Sequence, residues 1–320
     1  MGKRSAGQGA LVMITDNRFG EARIEREFVE SRGGRLEVAD CVSASDVAAQ
    51  CRDAEALLVN LARVDGSAIE ALLRCRVISR YGVGLDNIEV GAAERRGIAV
   101  RNVADYCSQE VAEHALGLIL SLARGIPARD RAIREGLWNE ASPGRRVAGS
   151  TLGILGYGGS ARALVAAASG LGFARILVWS RSLSEGPLPL PQQASRNPVA
   201  AAASLDEVLA ESDWLSIHLA LNRETRGLLD AGAIARMKST AMVINTARGG
   251  LIDEDALVAA LQEGRLGGAG LDVFAVEPLP QGSPLRSLPD VVLSDHAAYA
   301  SVESIIELRT RCVANAWEAL

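Results

Sequence analysis

Thr151-Leu-Gly-Ile-Leu-Gly-Tyr-Gly-Gly-Ser-Ala161 reads as a short apolar strand, a glycine turn and the opening of a helix that continues over 162–169. Gly156, Gly158 and Ala161 fit the strand–turn–helix pattern of dinucleotide-binding folds, with alanine at the third place. Gly156 permits the tight turn, Tyr157 lies in it among the cofactor-binding residues, and Gly158 lets backbone approach a pyrophosphate closely. The small residue at 161 lets helix and strand pack. The amides of Gly159 and Ser160 then face a phosphate from the positive end of the helix. Glycine-rich turns before helices also occur where nothing binds, so the flanking chain has to decide.

Downstream, apolar runs at 176–179, 214–218, 241–245, 268–273 and 291–293 alternate with helical stretches at 205–210, 231–237 and 254–263. That alternation predicts a doubly wound parallel sheet. Upstream the same rhythm occurs independently: strands at 11–15, 36–38, 56–59, 77–81 and 98–102, with helices at 21–31, 47–51, 69–73 and 92–96. A long helix over 110–124, with Ala112, Ala115, Leu116, Ile119 and Leu122 on one stripe, separates the two series. The expectation is an α/β protein of two doubly wound lobes, Rossmann-like and flavodoxin-like, with a ligand cleft between them at the strand carboxyl ends. The segment 185–199 carries four prolines without periodicity and is expected to be a surface loop. The helix over 303–320 has no strand beside it, which predicts a return crossing to the first lobe.

Composition narrows the function. The 320 residues are 48% hydrophobic and 23% charged, with a formal net charge of −5, so no basic footprint for nucleic acid exists. Residues 1–10 have basic side chains but no apolar core behind them, and no uninterrupted apolar run reaches the ~18 residues of a membrane span. Five widely spaced cysteines without a Cys-x-x-Cys pair suggest reduced thiols and a cytoplasmic location. His114 and His218 make no metal-binding spacing, so no metal is expected. His114, among alanines and leucines, reads as a packed histidine, and His218, at a strand end, as a contact to cofactor or backbone.

Three charged or titratable residues follow strands of the second series: Arg248, Glu277 and His296. Gathered beside a nicotinamide they would divide the work of a ketone reduction. The guanidinium grips a 2-keto acid and polarises its carbonyl. The imidazolium donates a proton to the forming alkoxide, and the carboxylate holds the ring and favours its protonated form. By spacing alone the three could equally be a strand cap, a solvated loop charge and a buried histidine.

The runs GVGLDNI (82–88), NTARGGLIDEDAL (245–257), LDVFAVEP (271–278) and DHAAY (295–299), in this order, resemble the D-isomer-specific 2-hydroxyacid dehydrogenases over essentially the whole chain beyond residue 10. RNVADYCSQEVAEH (101–114) and SRYGVGLDN (79–87) look most like bacterial enzymes near the C-terminal-binding-protein branch, with D-3-phosphoglycerate dehydrogenases and glyoxylate/hydroxypyruvate reductases nearby. The resemblance implies Arg248 as the substrate-binding arginine, Glu277 as partner carboxylate and His296 as proton donor/acceptor. It implies that Val83 and Gly84 offer amides to the substrate carboxylate with Arg80 nearby, and that Tyr299 shapes the pocket. It also implies that Asp272 meets the nicotinamide carboxamide, with Thr246 and Ala247 along the ring. The implied domains are a substrate-binding domain over 1–104 and a dinucleotide-binding domain over 105–294, with a return segment over 295–320. A homodimer is implied through the helix and arm at 109–147.

The chain departs from the family's pattern at the cofactor's adenosine end. Where an NAD enzyme ends its second strand with an acid for the ribose 2′-hydroxyl, this chain has Ser180, followed by Arg181. Loss of the acid and gain of the arginine favour NADP(H) over NAD(H) on charge grounds. His218-Leu-Ala220 replaces a His-x-Pro that borders the cofactor in relatives, and Gly159 and Ser160 replace a polar and an apolar residue. The function implied is an NAD(P)-dependent reductase of small 2-keto acids. The alternative is a dinucleotide-sensing, corepressor-like binding protein with little turnover.

Overall fold

A computed structural model describes residues 9–138, 143–183, 188 and 198–320. Residues 1–8 and most of the expected loop over 185–199 lie outside the described residues. The chain divides into two compact units, the first formed by residues up to Tyr106 with Ser301–Leu320, the second by Cys107–Ala300. Residues 295–300, expected with the return segment, belong to the second unit. The physical reason is that the backbone of 296–298 is tied to Asp272 there.

In the first unit β1 (Leu11–Ile14), α1 (Arg23–Glu30), β2 (Arg35–Val38), α2 (Ala44–Gln50) and β3 (Ala56–Val59) alternate as the pattern predicts. α3 (Gly66–Ala71), β4 (Val77–Arg80), α4 (Val90–Arg95) and β5 (Ala99–Arg101) complete the series. The five strands are all parallel in the order β2-β1-β3-β4-β5, the flavodoxin-like arrangement. At its switch point the Asp16 carboxylate accepts the amides of Asn60, Leu61 and Ala62 at 3.2, 2.8 and 3.2 Å.

The second unit opens with α5 (Ser108–Arg124) and α6 (Ile126–Arg134), followed by β6 (Thr151–Leu155), α7 (Gly159–Ala167), β7 (Arg175–Trp179) and β8 (Val199–Ala201). It continues through α8 (Leu205–Glu211), β9 (Trp214–Ile217), α9 (Ala231–Ala235), β10 (Met242–Asn245), α10 (Glu254–Gln262), β11 (Gly268–Leu271) and β12 (Val291–Leu293). Its sheet order β12-β11-β10-β9-β6-β7-β8 reverses at β6/β9, the dinucleotide-binding topology. The strands β6, β9, β10 and β11 are near-continuous buried runs, as a sheet covered on both faces requires.

Among the described residues, β8 and α6 were absent from the sequence pattern. Val199, expected at the end of a loop, begins β8, a three-residue edge strand paired to β7; its alanines carry no strand signal. α6 buries no residue, so it has no apolar stripe to read, and it starts from the left-handed Gly125 with Pro127 in its first turn.

The last helix, α11 (Val302–Glu318), packs on α1, β3 and β4 of the first unit. A buried ion pair fastens it: Arg309 reaches both carboxylate oxygens of Glu25 at 2.9 and 2.7 Å, and the Tyr81 hydroxyl donates to the same carboxylate at 3.0 Å. With side chains 9% and 1% exposed, this pair is satisfied from several sides, the condition under which a buried charge is tolerated.

Candidate active site

The glycine turn has the geometry its residues demand. Gly156 sits at φ +94°, and a Cβ there would lie 2.4 Å from the His218 carbonyl oxygen, so this position excludes side chains on two counts. Gly158 is the opposite case. It caps α7 in an extended conformation with no side-chain cap, and a Cβ there would meet nothing within 4 Å. The space beside Gly158 at the start of α7 is thus open, the arrangement in which a helix N-terminus takes a phosphate. Tyr157 is buried, and the Arg162 guanidinium folds back to its carbonyl at 3.1 Å.

β9 flanks this turn. His218 bonds Ser160 Oγ through Nδ1 at 3.0 Å and Ser216 Oγ through Nε2 at 2.9 Å. Burial of the ring pushes its pKa down to about 4. Ser180 follows β7, and Arg181 beside it pairs with Glu224 from the turn after β9. At the end of β10, Thr246 is buried and its hydroxyl has no hydrogen-bond partner among the described residues. Ala247 follows it, half-buried. An open glycine cradle and uncapped helix amides after β6, with an orphaned hydroxyl two strands away after β10, fit a dinucleotide.

Arg248, Glu277 and His296 follow β10, β11 and β12, three adjacent strands. Asn245 shapes the first turn, its amide donating to the Arg248 carbonyl at 3.0 Å while its oxygen accepts the Ala247 amide at 3.0 Å. The Arg248 guanidinium donates to the Ala247 carbonyl at 2.8 Å. Gly249 lets this turn press against the next one, since a Cβ there would fall 1.9 Å from the Phe274 carbonyl. That close approach brings the Arg248 and Glu277 turns together.

Glu277 Oε1 accepts the Phe274 amide at 3.0 Å, and Oε2 lies 2.7 Å from His296 Nδ1. Burial pushes the Glu277 carboxyl up. The His296 hydrogen bond, the Phe274 amide and the charges of His296 and Arg248 outweigh it and hold the group below the ordinary carboxylate range. The His296 and Glu277 side chains are 37% and 35% exposed. The ring's Nε2 has no hydrogen-bond partner among the described residues. Tyr299 stands edge-on to the ring at 6.4 Å between centroids.

His296 adopts a left-handed backbone, φ +58°, uncommon outside glycine. Asp272 enforces it. Its carbonyl accepts the His296 amide at 2.8 Å, and its carboxylate accepts Ser294 Oγ at 2.6 Å and the amides of Ala297 and Ala298, both at 2.9 Å. Asp272 is fully buried, so in this structure its carboxylate serves the turn that carries His296. His114, on α5, reaches Ser294 Oγ at 2.8 Å and completes this support. Neither Ser294, Ser216 nor Glu224 stood out in the sequence. Ser216 alone had a signal, because it lies two residues before His218 and so shares its strand face.

The remaining expected residues belong to the first unit. The turn after β4 has Gly82 at φ +134° with the Arg80 guanidinium folded over it. The Val83 carbonyl accepts Asn102 Nδ2 at 2.7 Å and Val83 is exposed. The amides of Val83 and Gly84 bond to no acceptor among the described residues. Those residues contain no group of three or more His, Cys, Asp or Glu able to hold a metal, and no helix long and apolar enough to cross a membrane.

Residues 116–298 match the family model described as "D-isomer specific 2-hydroxyacid dehydrogenase, NAD binding domain". The chain is 38% identical over 259 residues to a glyoxylate reductase of Korarchaeum cryptofilum, covering 79% of this chain and 76% of the relative. It is 36% identical over 298 residues to a D-3-phosphoglycerate dehydrogenase of Mycobacterium bovis, covering 92% of this chain but 54% of that protein. The chain thus spans about half the length of such relatives. The crystal structure of a glyoxylate reductase from Paecilomyes thermophila superposes with a TM-score of 0.84 at 31% identity, covering 96% of this chain and 94% of that one. The chain belongs to the D-isomer-specific 2-hydroxyacid dehydrogenase family.

Proposed function

We propose that this protein is an NAD(P)-dependent 2-keto acid reductase/D-2-hydroxyacid dehydrogenase acting on a small substrate. The observation that carries the proposal is the 2.7 Å His296–Glu277 pair, on strand ends adjoining that of Arg248 and in the unit that holds the glycine cradle. When bound, the reduced nicotinamide supplies the hydride to the substrate C2. Arg248 binds the keto acid and draws charge onto its carbonyl oxygen. His296 Nε2 gives that oxygen its proton, and Glu277 stabilises the protonated ring before the transfer. The Val83 and Gly84 amides and Arg80 take the substrate carboxylate, and Tyr299 shapes the pocket beside His296. Thr246 and Ala247 line the nicotinamide, and Asp272 acts one step back, through the turn that orients His296.

A homodimer and a cytoplasmic location are part of the same reading. Exposed Ile126, Ile133, Leu137 and Trp138 on and after α6 support the first, and five cysteines without a Cys-x-x-Cys pair fit the second. Gel filtration at a monomer mass would overturn the dimer. The activity is tested by following loss of reduced-nicotinamide absorbance with glyoxylate, hydroxypyruvate and phenylpyruvate, using NADH and NADPH side by side. Turnover of at least one is expected. Dinucleotide binding without turnover on any 2-keto acid would favour the regulatory alternative.

A further inference from the structure

β7 and β9 flank β6 in the sheet, so the loops that leave their carboxyl ends stand on either side of the glycine turn. The first loop begins Ser180-Arg181 and the second carries Glu224. Arg181 Nη1 meets the Glu224 carboxylate, and both side chains remain open to solvent at 61% and 67% exposure. Glu224 is aimed by its own turn. Asn222 Oδ1 accepts the amides of Glu224 and Thr225 at 2.9 and 3.1 Å, and Thr225 Oγ1 accepts the Asn222 amide at 2.8 Å and donates to the Ala220 carbonyl at 2.7 Å.

We infer that Glu224 is a specificity-determining residue for the adenosine end of the dinucleotide, acting through Arg181 to disfavour a 2′-phosphate. The inference rests on the dinucleotide reading above. Ser180 offers no charge where the ribose is bound, so Arg181 is the cation placed to meet a 2′-phosphate. While it is paired, the neighbouring carboxylate offsets its field. A phosphate must displace Glu224 and then remains close to its negative charge. A ribose 2′-hydroxyl, being neutral, meets neither penalty. Glu224 thus lowers affinity for the phosphorylated dinucleotide and leaves that for NAD(H) nearly unchanged, which moderates the preference that Ser180 and Arg181 would set by themselves. Both groups are exposed, which limits the effect to about two- to fivefold.

The test is the dissociation constants of NADPH and NADH, read from the fluorescence of the bound reduced nicotinamide, for the wild type, Glu224→Gln, Arg181→Ala and the double variant at low and high salt. Glu224→Gln is expected to tighten NADPH about two- to fivefold and to move NADH less than about twofold. The gain should vanish in the Arg181→Ala background and shrink in high salt. An equal shift for both dinucleotides, or a gain that survives loss of Arg181, would overturn the assignment. If both dinucleotides bind and their ratio ignores Glu224→Gln, the Glu224 assignment alone falls. If the wild type binds neither, the dinucleotide reading falls and this one with it.

Discussion

Alanine at Gly156 and, separately, alanine at Gly158 should break different things. At Gly156 the backbone sits at φ +94°, and left-handed geometry costs a residue with a Cβ about 1–2 kcal/mol. The added Cβ would lie 2.4 Å from the His218 carbonyl oxygen and 2.8 Å from its carbon. That carbonyl is backbone, and its residue is tied to β6 by the 2.7 Å bond from the His218 amide to Leu155. It cannot yield as a flexible side chain would, so overlap adds about 1–3 kcal/mol. The sum, about 3 kcal/mol, corresponds to a loss of about 6–12 °C in Tm for a unit of this size. Gly158 meets nothing within 4 Å and already has a backbone that alanine accepts. A weaker N-cap and a less flexible unfolded chain offset each other to within about 0.5 kcal/mol. The Cβ would instead occupy the approach to the helix amides, and dinucleotide affinity should fall at least about tenfold. Thermal melts and dinucleotide titrations of both variants decide it. Wild-type affinity in Gly158→Ala would show that no pyrophosphate passes this turn, and wild-type stability in Gly156→Ala would refute the packing argument.

Asp272→Asn keeps the shape but leaves one amide NH2 facing backbone donors at Ala297, Ala298 or the Ser294 hydroxyl, so urea denaturation should show a loss of about 2–4 kcal/mol. Stability should also fall as pH is lowered from about 6.5 towards 4. His218 has a folded pKa near 4, below its unfolded value, so in that window the unfolded chain binds the extra proton and stability rises with pH. The residue is partly open to solvent, which trims the ideal contribution to about 2 kcal/mol, and His218→Gln should flatten the slope of the urea midpoint against pH. Glu277, held below its ordinary range, acts with the same sign at lower pH: its stabilisation is present above the unfolded value and lost as pH falls through the folded one.

The parts of this molecule that were legible in the sequence are those where local chemistry and backbone geometry coincide. The turn at Gly156 needs φ > 0 and cannot hold a Cβ, so glycine announces it. Arg248, Glu277 and His296 stood out because each interrupts the chain just after an apolar run that became β10, β11 or β12. The return of α11 was legible as a helix without a strand. What fastens it was not, because Glu25 and Arg309 are 284 residues apart and each reads as a surface charge. The burial of Asp272 was hidden for a related reason. Its partners are backbone amides beyond the next strand, and main-chain donors leave no mark in a sequence. The Arg181–Glu224 pair likewise joins two loops that only the strand order sets side by side.

The central claim is that His296 transfers the proton while the glycine cradle holds the dinucleotide, so the decisive measurement is His296→Ala assayed for turnover and for dinucleotide affinity in one preparation. With the 2-keto acid that the wild type reduces fastest, turnover should fall about 10²–10⁴-fold with the dissociation constant within about twofold of wild type. Undiminished turnover in that variant, at normal affinity, would contradict the account.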